Sequence, residues 1–421
     1  MVDLKGQVET PFDATIERAR AWAEQPLPLA AWLAVLVAFG AAARWRVYSI
    51  HITIVDQTQQ LQLTSALASA DLRDAFVTHG SLQASPPGYG LFALPFRLLL
   101  APSQGIVSSY LIAGWAALIV LGVSVVVLGR VLGIVARSPH ELFILGVVVT
   151  SPIILACYTE SYHPGDLLAL ACVLFATAAV VKRQMGWAVA WLAAALLCKQ
   201  WGVIFLGVLV VAEPPRERIR LALGTFAAAG LVMIPFFATN PTATWKSVAA
   251  AAVVTSERTV LGHLGMTEGS PLLDVEARIL PLLIVAFLCL WLFDTNRALG
   301  RDHPLSTDVV IAALVTAAFV RPLLDPAGYL YYYVPAWTLF ALRDARWRWP
   351  LGTLVGGWVM MEMITGKVDL VGRLTDYHGA VAVVIGQSFA LAAFLAVSVS
   401  VVGAVRAEKR EAAEPTPAAS A

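Results

Sequence analysis

Residues 186–213 read GWAVAWLAAALLCKQWGVIFLGVLVVAE, an apolar stretch with one full charge at its centre, Lys199. A lysine among membrane-spanning residues costs about 3 kcal/mol unless it reaches an interface, a water-filled cavity or an anion. Lys182 and Arg183 precede the stretch, and Arg216, Arg218 and Arg220 follow it. Because Lys and Arg gather on the cytoplasmic side of a membrane, both flanks belong on one side and the stretch turns back at its middle. Each half is then about 12 residues, or about 18 Å, short of the roughly 30 Å hydrocarbon core. Such a turn puts Lys199 in the outer leaflet, near the depth of a lipid phosphate. The competing arrangement is one long kinked helix with Lys199 snorkelling to an interface.

The rest of the chain has the same character. Of 421 residues, 59% are hydrophobic and 14% charged, with a mean hydropathy of +0.75. That composition excludes a soluble domain, and the net charge of +1 gives no ground for nucleic-acid binding. Apolar runs fall at about 28–43, 106–129, 140–157, 165–181, 187–198, 200–212, 221–238, 279–295, 307–320, 327–342, 349–365 and 379–403. They predict an all-α polytopic membrane protein of about 12 transmembrane helices. The run 88–100, broken by Pro95 and Arg97, reads as interfacial or re-entrant. Residues 1–26 carry both charge signs and lack the order of a cleavable signal peptide, so the first span is expected to be retained. Residues 405–421, charged and rich in Ala and Pro, read as a disordered cytoplasmic tail. Cys157, Cys172, Cys198 and Cys289 match no metal spacing and read as buried thiols without a disulfide.

With the N-terminus inside, the short connections holding Arg130 and Arg137, Lys182 and Arg183, Arg216 to Arg220, Arg297 and Arg301, and Arg343 to Arg348 all become cytoplasmic. Two long segments, about 44–87 and 239–278, then lie outside, and loops of that length call for short surface helices. The first holds Asp56, in Ile54-Val55-Asp56-Gln57-Thr58, and ends in Ser85-Pro86-Pro87-Gly88-Tyr89. A carboxylate at the rim of a membrane cavity suits a general base acting on a hydroxyl. Two further outer turns carry chemistry. One is Tyr158-Thr-Glu160-Ser-Tyr162-His163-Pro164-Gly165-Asp166, where Pro164 suits a helix's first turn and Asp166 its N-terminal dipole. The other runs from Arg321 through Asp325-Pro326 to Tyr331 and Tyr332. A guanidinium there can grip a phosphate, with Lys199 as a complementary point charge.

Taken in order, these pieces resemble the GT-C superfamily of integral-membrane glycosyltransferases, with the closer likeness to its bacterial branch that includes polyprenyl-phosphate-mannose-dependent mannosyltransferases. The matching features are Asp56, Pro86 to Tyr89, Tyr162 to Asp166, Lys199-Gln200-Trp201, and Arg321 with Tyr331 and Tyr332; they cover roughly residues 28–345. The chain departs from the pattern where Gln57 follows Asp56 instead of a second acid, and where Ser85 stands before the prolines instead of histidine. The resemblance implies a transmembrane domain over 28–404, a short cytoplasmic segment over 1–27, and an active site facing outward. It also implies a polyprenyl-phosphate-linked sugar as donor and a lipid- or glycan-linked hydroxyl as acceptor, within a surround of membrane lipids. Asp56 would be the catalytic base, and Lys199 and Arg321 would hold the donor phosphate. Glu160, His163, Asp166, Gln200, Trp201, Tyr331 and Tyr332 would line the substrate site. With two cations present a divalent metal is unnecessary, although some relatives use one, and no other cofactor is expected. The rival readings are a transporter of lipid-linked sugars and a non-catalytic scaffold of an envelope complex.

Overall fold

The computed structural model describes residues 11–26, 28, 54–78, 81–82, 86–133, 138–139, 141, 145–146, 148, 154, 157, 163–249, 275, 279–299, 304–324, 330–346 and 380–413. The expected apolar runs 28–43, residue 28 apart, and 349–365 lie outside the described residues, as does most of 140–157. The described chain is all-helical apart from one two-residue antiparallel ladder, Val77–Thr78 against Ser81–Leu82. It holds α1 (Pro11–Glu24), α2 (Ile54–Ala68), α3 (Gly88–Gln104), α4 (Ile106–Val131), α5 (Pro164–Val181), α6 (Met185–Cys198) and α7 (Gly202–Ala212). Then follow α8 (Pro215–Thr239), α9 (Pro241–Ala249), α10 (Leu280–Ala298), α11 (Thr307–Leu324), α12 (Val334–Arg346) and α13 (Ala380–Ala413).

Among the described residues, six helices are long and apolar enough to cross a membrane: α4, α5, α8, α10, α11 and α13. Their burial sorts them into two layers. Helices α5 and α11 are covered along most of their length, as a helix that is hydrophobic all round must be. Helices α8, α10 and α13 instead turn side chains such as Leu231, Phe287 and Val399 outward, where lipid replaces protein as the apolar neighbour.

The stretch 186–213 does turn back. Helix α6 ends at Cys198, Lys199 is extended at φ −153°, ψ 137°, and α7 begins at Gly202. At the far end, Arg183 before α6 meets Glu213 after α7, its Nη1 lying 2.8 and 2.6 Å from the two carboxylate oxygens. Two helices whose outer ends are bridged this way form a hairpin, with Lys199 at its tip. Arg183 has φ 60°, a left-handed conformation usually left to glycine. It closes α5 with Gln184 N–H donating to Ala179 O and Arg183 N–H to Val180 O, the reversal that starts the hairpin. Fourteen residues of α6 rise about 21 Å and eleven of α7 fall about 17 Å, so neither crosses a bilayer alone.

The hairpin base is tied to further elements with basic flanks. Ala212 O accepts from Leu305 N–H and from Asn296 Nδ2, and Ser306 N–H donates to both oxygens of Glu408 at 3.0 and 3.2 Å. That last contact corrects the sequence reading of the tail. Helix α13 runs through 405–413, with Val405 and Glu408 buried, because the free N–H groups at the start of α11 give Glu408 a docking place. Residues 414–421 lie outside the described residues.

The opposite end carries a cap. Leu63, Ala66, Ala75, Phe76, Met233, Phe236 and Ala243 pack with Leu197 of the hairpin into a small second core, in which Phe76 and Phe236 rings sit 5.3 Å apart. Asn240 accepts from Ala243 N–H, capping α9, and donates to Arg73 O. The two long segments are thereby joined to each other, and α2, the turn Leu72–Asp74 and α9 are the short helices expected in them. The second segment's Glu257, Arg258, His263 and Glu268 lie outside the described residues. Residues 88–100 belong to the 17-residue α3, which contains Pro95 and exposes Leu98 and Leu99.

Candidate functional site

Helix α5 begins with Pro164 at its first position, and its Asp166 N–H returns to His163 O at 2.9 Å. Proline fixes the first turn without losing a hydrogen bond, and the helix dipole favours an acid there. This third residue, 2% exposed, organises the site. Its Oδ2 lies 3.0 Å from Lys199 Nζ, and its Oδ1 accepts from Trp201 Nε1 at 2.8 Å. The carboxylate therefore holds both ends of the non-helical turn Lys199-Gln200-Trp201. His163 Nδ1 is 3.8 Å from Oδ2, beyond hydrogen-bond distance.

Lys199 is thus neither snorkelling nor bare: its side chain is 13% exposed and its ammonium is paired with a carboxylate from another helix. Breaking a buried pair by removing one partner leaves an uncompensated charge and typically costs about 3–5 kcal/mol. The tip is supported from behind. Gly88, at the start of α3, stands against the backbone of Leu197 and Cys198 so closely that a Cβ would meet Leu197 C at 2.5 Å. A Cβ on Gly165 would meet Tyr89 at 3.4 Å and Lys199 Cε at 3.7 Å. The segment Pro86–Tyr89 thus forms the wall on which the Lys199 turn rests, and Tyr89 continues it into an edge-on contact with Tyr110 at 5.5 Å.

Arg321, near the end of α11, has its guanidinium 3.9 Å from the centroid of the Tyr332 ring. Stacking on an aromatic face directs the N–H groups outward in the guanidinium plane. Arg321 also lies within electrostatic range of Asp166. Trp201, Ile204, Phe205, Ala317, Ala318, Arg321, Tyr332 and Pro335 enclose a narrow cleft with free space for about one water molecule. Among the described residues, this cleft has no room for anything larger.

Six residues singled out from sequence, His163, Asp166, Lys199, Trp201, Arg321 and Tyr332, are therefore brought to one place. Gln200 is not among them: its Nε2 donates to Ser247 O at 3.1 Å, so it ties the hairpin tip to α9 and faces the cap. Asp56 stands in the first turn of α2, about 10 Å along the helix from Leu63 in the cap core. Tyr331 belongs to the turn Leu330–Tyr333. Glu160 lies outside the described residues. Sequence reading gave no individual role to Tyr89, whose signal was the diproline motif, or to Ser247, which carried no signal at all.

Among the described residues, no three His, Cys, Asp or Glu side chains converge as metal ligands would. The described cysteines are free thiols, with Cys157 Sγ against His163 O at 3.3 Å. No family model matches the chain, and no curated protein matches it either.

Proposed function

We propose that this protein is a GT-C-like membrane glycosyltransferase, a bundle of about 12 helices in the cell membrane with both termini cytoplasmic and its site facing outward. It transfers a sugar, mannose in the branch it resembles, from a polyprenyl-phosphate donor to a hydroxyl of a lipid- or glycan-linked acceptor. The observation that carries this reading is the ion pair of Lys199 with the buried Asp166 carboxylate, with Arg321 within electrostatic range, at the tip of a hairpin too short to span. From the hairpin base, Lys199 stands about 21 Å into the membrane, a depth suited to the phosphate of a lipid in the far leaflet.

The chemistry is a single displacement with inversion. Asp56 takes the proton of the acceptor hydroxyl, whose oxygen bonds to the anomeric carbon as the bond from that carbon to the phosphate oxygen breaks. The phosphate leaves as a monoester carrying one more negative charge than the donor diester. Fixed cations in a poorly solvated site stabilise such developing charge strongly. Lys199 offers three donors and Arg321 a planar fork, so no divalent metal is required. Donor entry requires the closed cleft beside Tyr332 to open.

The test is to reconstitute the protein in nanodiscs and offer a panel of polyprenyl-phosphate sugars. Release of polyprenyl phosphate that depends on added acceptor supports the reading. Movement of intact donor across a bilayer without release would replace it with transport.

A further inference from the structure

Helix α3 carries a cation that the proposed reaction does not use. Arg97 is half-buried and its Nε is fully covered. Among the described residues it makes no hydrogen bond, ion pair or ring contact. We infer that Arg97 holds the phosphate of an anionic glycerophospholipid in the outer leaflet, at a site separate from the Lys199 turn. That site depends on the proposed orientation and not on the proposed chemistry.

The helix has two faces. Pro95, Leu98, Leu99, Pro102 and Ser103 form an exposed stripe at helical spacing, with Leu98 and Leu99 55% and 76% exposed. Leucines so exposed in a membrane protein meet acyl chains. Arg97 lies round the helix from them, on the stripe of Gly90, Ala93 and Ala101. A Cβ on Gly90 would meet Leu63 of α2 at 2.8 Å. Gly90 and Ala93 are buried, whereas Arg97 and Ala101 are half-buried, so cover on this side thins at Arg97. Depth follows from the ends of α3. It starts where Gly88 abuts Leu197 and Cys198, at the tip of a hairpin about 21 Å tall. It ends where α4 begins, and the 26 residues of α4 rise about 39 Å, more than the roughly 30 Å hydrocarbon core. Helix α3 therefore climbs from the tip toward the outer headgroups. The nine residues from Gly88 to Arg97 carry the cation up to about 13 Å beyond the tip, to the level of phospholipid phosphates. Its Nη groups offer parallel donors to phosphate oxygens, and Leu98 and Leu99 offer the same lipid an apolar surface. Snorkelling to water would serve Arg97 equally in zwitterionic lipid, and the test separates the two.

Photo-crosslinking reads this position directly. With p-benzoylphenylalanine in place of Leu98, the full chain is reconstituted in nanodiscs of phosphatidylglycerol and phosphatidylcholine in equal amounts, and the adducts are identified by mass spectrometry. Phosphatidylglycerol adducts should exceed phosphatidylcholine adducts about fivefold, the usual effect of one basic residue on an anionic lipid. Adding Arg97→Gln should bring the two to parity, and Arg97→Lys should keep most of the excess. Equal adducts with Arg97 in place refute the inference, and this arm needs no Arg97 variant to fold. An excess that persists in Arg97→Gln refutes it as well, since the selectivity then arises elsewhere. Farnesyl methyl phosphate, a polyprenyl diester added as a minor component, should leave the adducts unchanged. Displacement by it would assign Arg97 to the polyprenyl donor and overturn the separate site. Failure of the donor panel to release polyprenyl phosphate would remove the sugar-transfer reading and leave each of these outcomes decisive.

Discussion

Replacing Gly88 with alanine places a Cβ 2.5 Å from Leu197 C, 2.6 Å from Leu197 O and 2.7 Å from Cys198 N. These are backbone atoms at the end of α6, so no side-chain rotation relieves the overlap. Ordinary contact begins at 3.4 Å, and α3 and the hairpin tip must separate by about 0.9 Å to relieve the 2.5 Å contact. Overpacking of this kind costs about 1–3 kcal/mol. The residue after Cys198 is Lys199, whose Nζ is 3.0 Å from Asp166, and a shift of that size weakens this buried ion pair. Gly88→Ala should therefore lower the melting temperature in detergent by a few degrees. It should also reduce donor turnover by up to about 10²-fold, the usual effect of misplacing a site group by about 1 Å. Gly165→Ala is the control: the nearest atoms its Cβ meets are side-chain atoms of Tyr89 and Lys199 at 3.4–3.8 Å, and it should change both readouts little. A Gly88→Ala protein with wild-type melting and turnover would refute the packing of the diproline segment against the Lys199 turn.

Asp56→Asn keeps shape and removes the base, and should lower turnover by about 10²–10⁴-fold while donor binding survives; a rate near wild type would remove Asp56 from the mechanism. In a cysteine-free background, a cysteine at Trp245, which is exposed on the cap, should label from outside the cell and one at Arg220 only from the cytoplasm, and the reverse pattern would invert the orientation. Burial pushes the Glu213 carboxyl above its ordinary 4.5, with Arg183 opposing the shift. A raised folded value favours the protonated form, so this stabilisation is complete below about pH 4.5 and fades as pH rises through the folded value. Melting of wild type against Glu213→Gln should show that slope only in wild type, and equal slopes would remove Glu213 as its source.

What the sequence made legible were features with a local cause. The break at Lys199 followed from one charge in an apolar run and basic residues on both flanks, and Pro164 and Asp166 declared the start of α5 by helix-end chemistry. Pairings made over distance were not legible. Nothing in the order of residues joins Asp166 to Lys199 and Trp201, 33 and 35 positions later, and the acid was equally readable as a simple dipole partner. Gln200 looked like a site residue because it adjoins Lys199, yet an extended backbone turn sends neighbours in opposite directions, and Ser247 O captured it. The segment 405–413 looked disordered by composition because the partner that orders Glu408, the Ser306 N–H just before α11, lies about a hundred residues away.

The central claim is that Lys199 meets a lipid phosphate at the tip of the hairpin during sugar transfer. Its most direct test is release of polyprenyl phosphate from a polyprenyl-phosphate sugar by reconstituted wild type and Lys199→Met, measured side by side with donor affinity. Methionine matches the length and drops the charge. The account predicts release by wild type, and in the variant weaker donor binding with a rate lower by about 10²–10³-fold, the usual effect of removing one group that stabilises developing charge. Equal rates and affinities in the two proteins would contradict it.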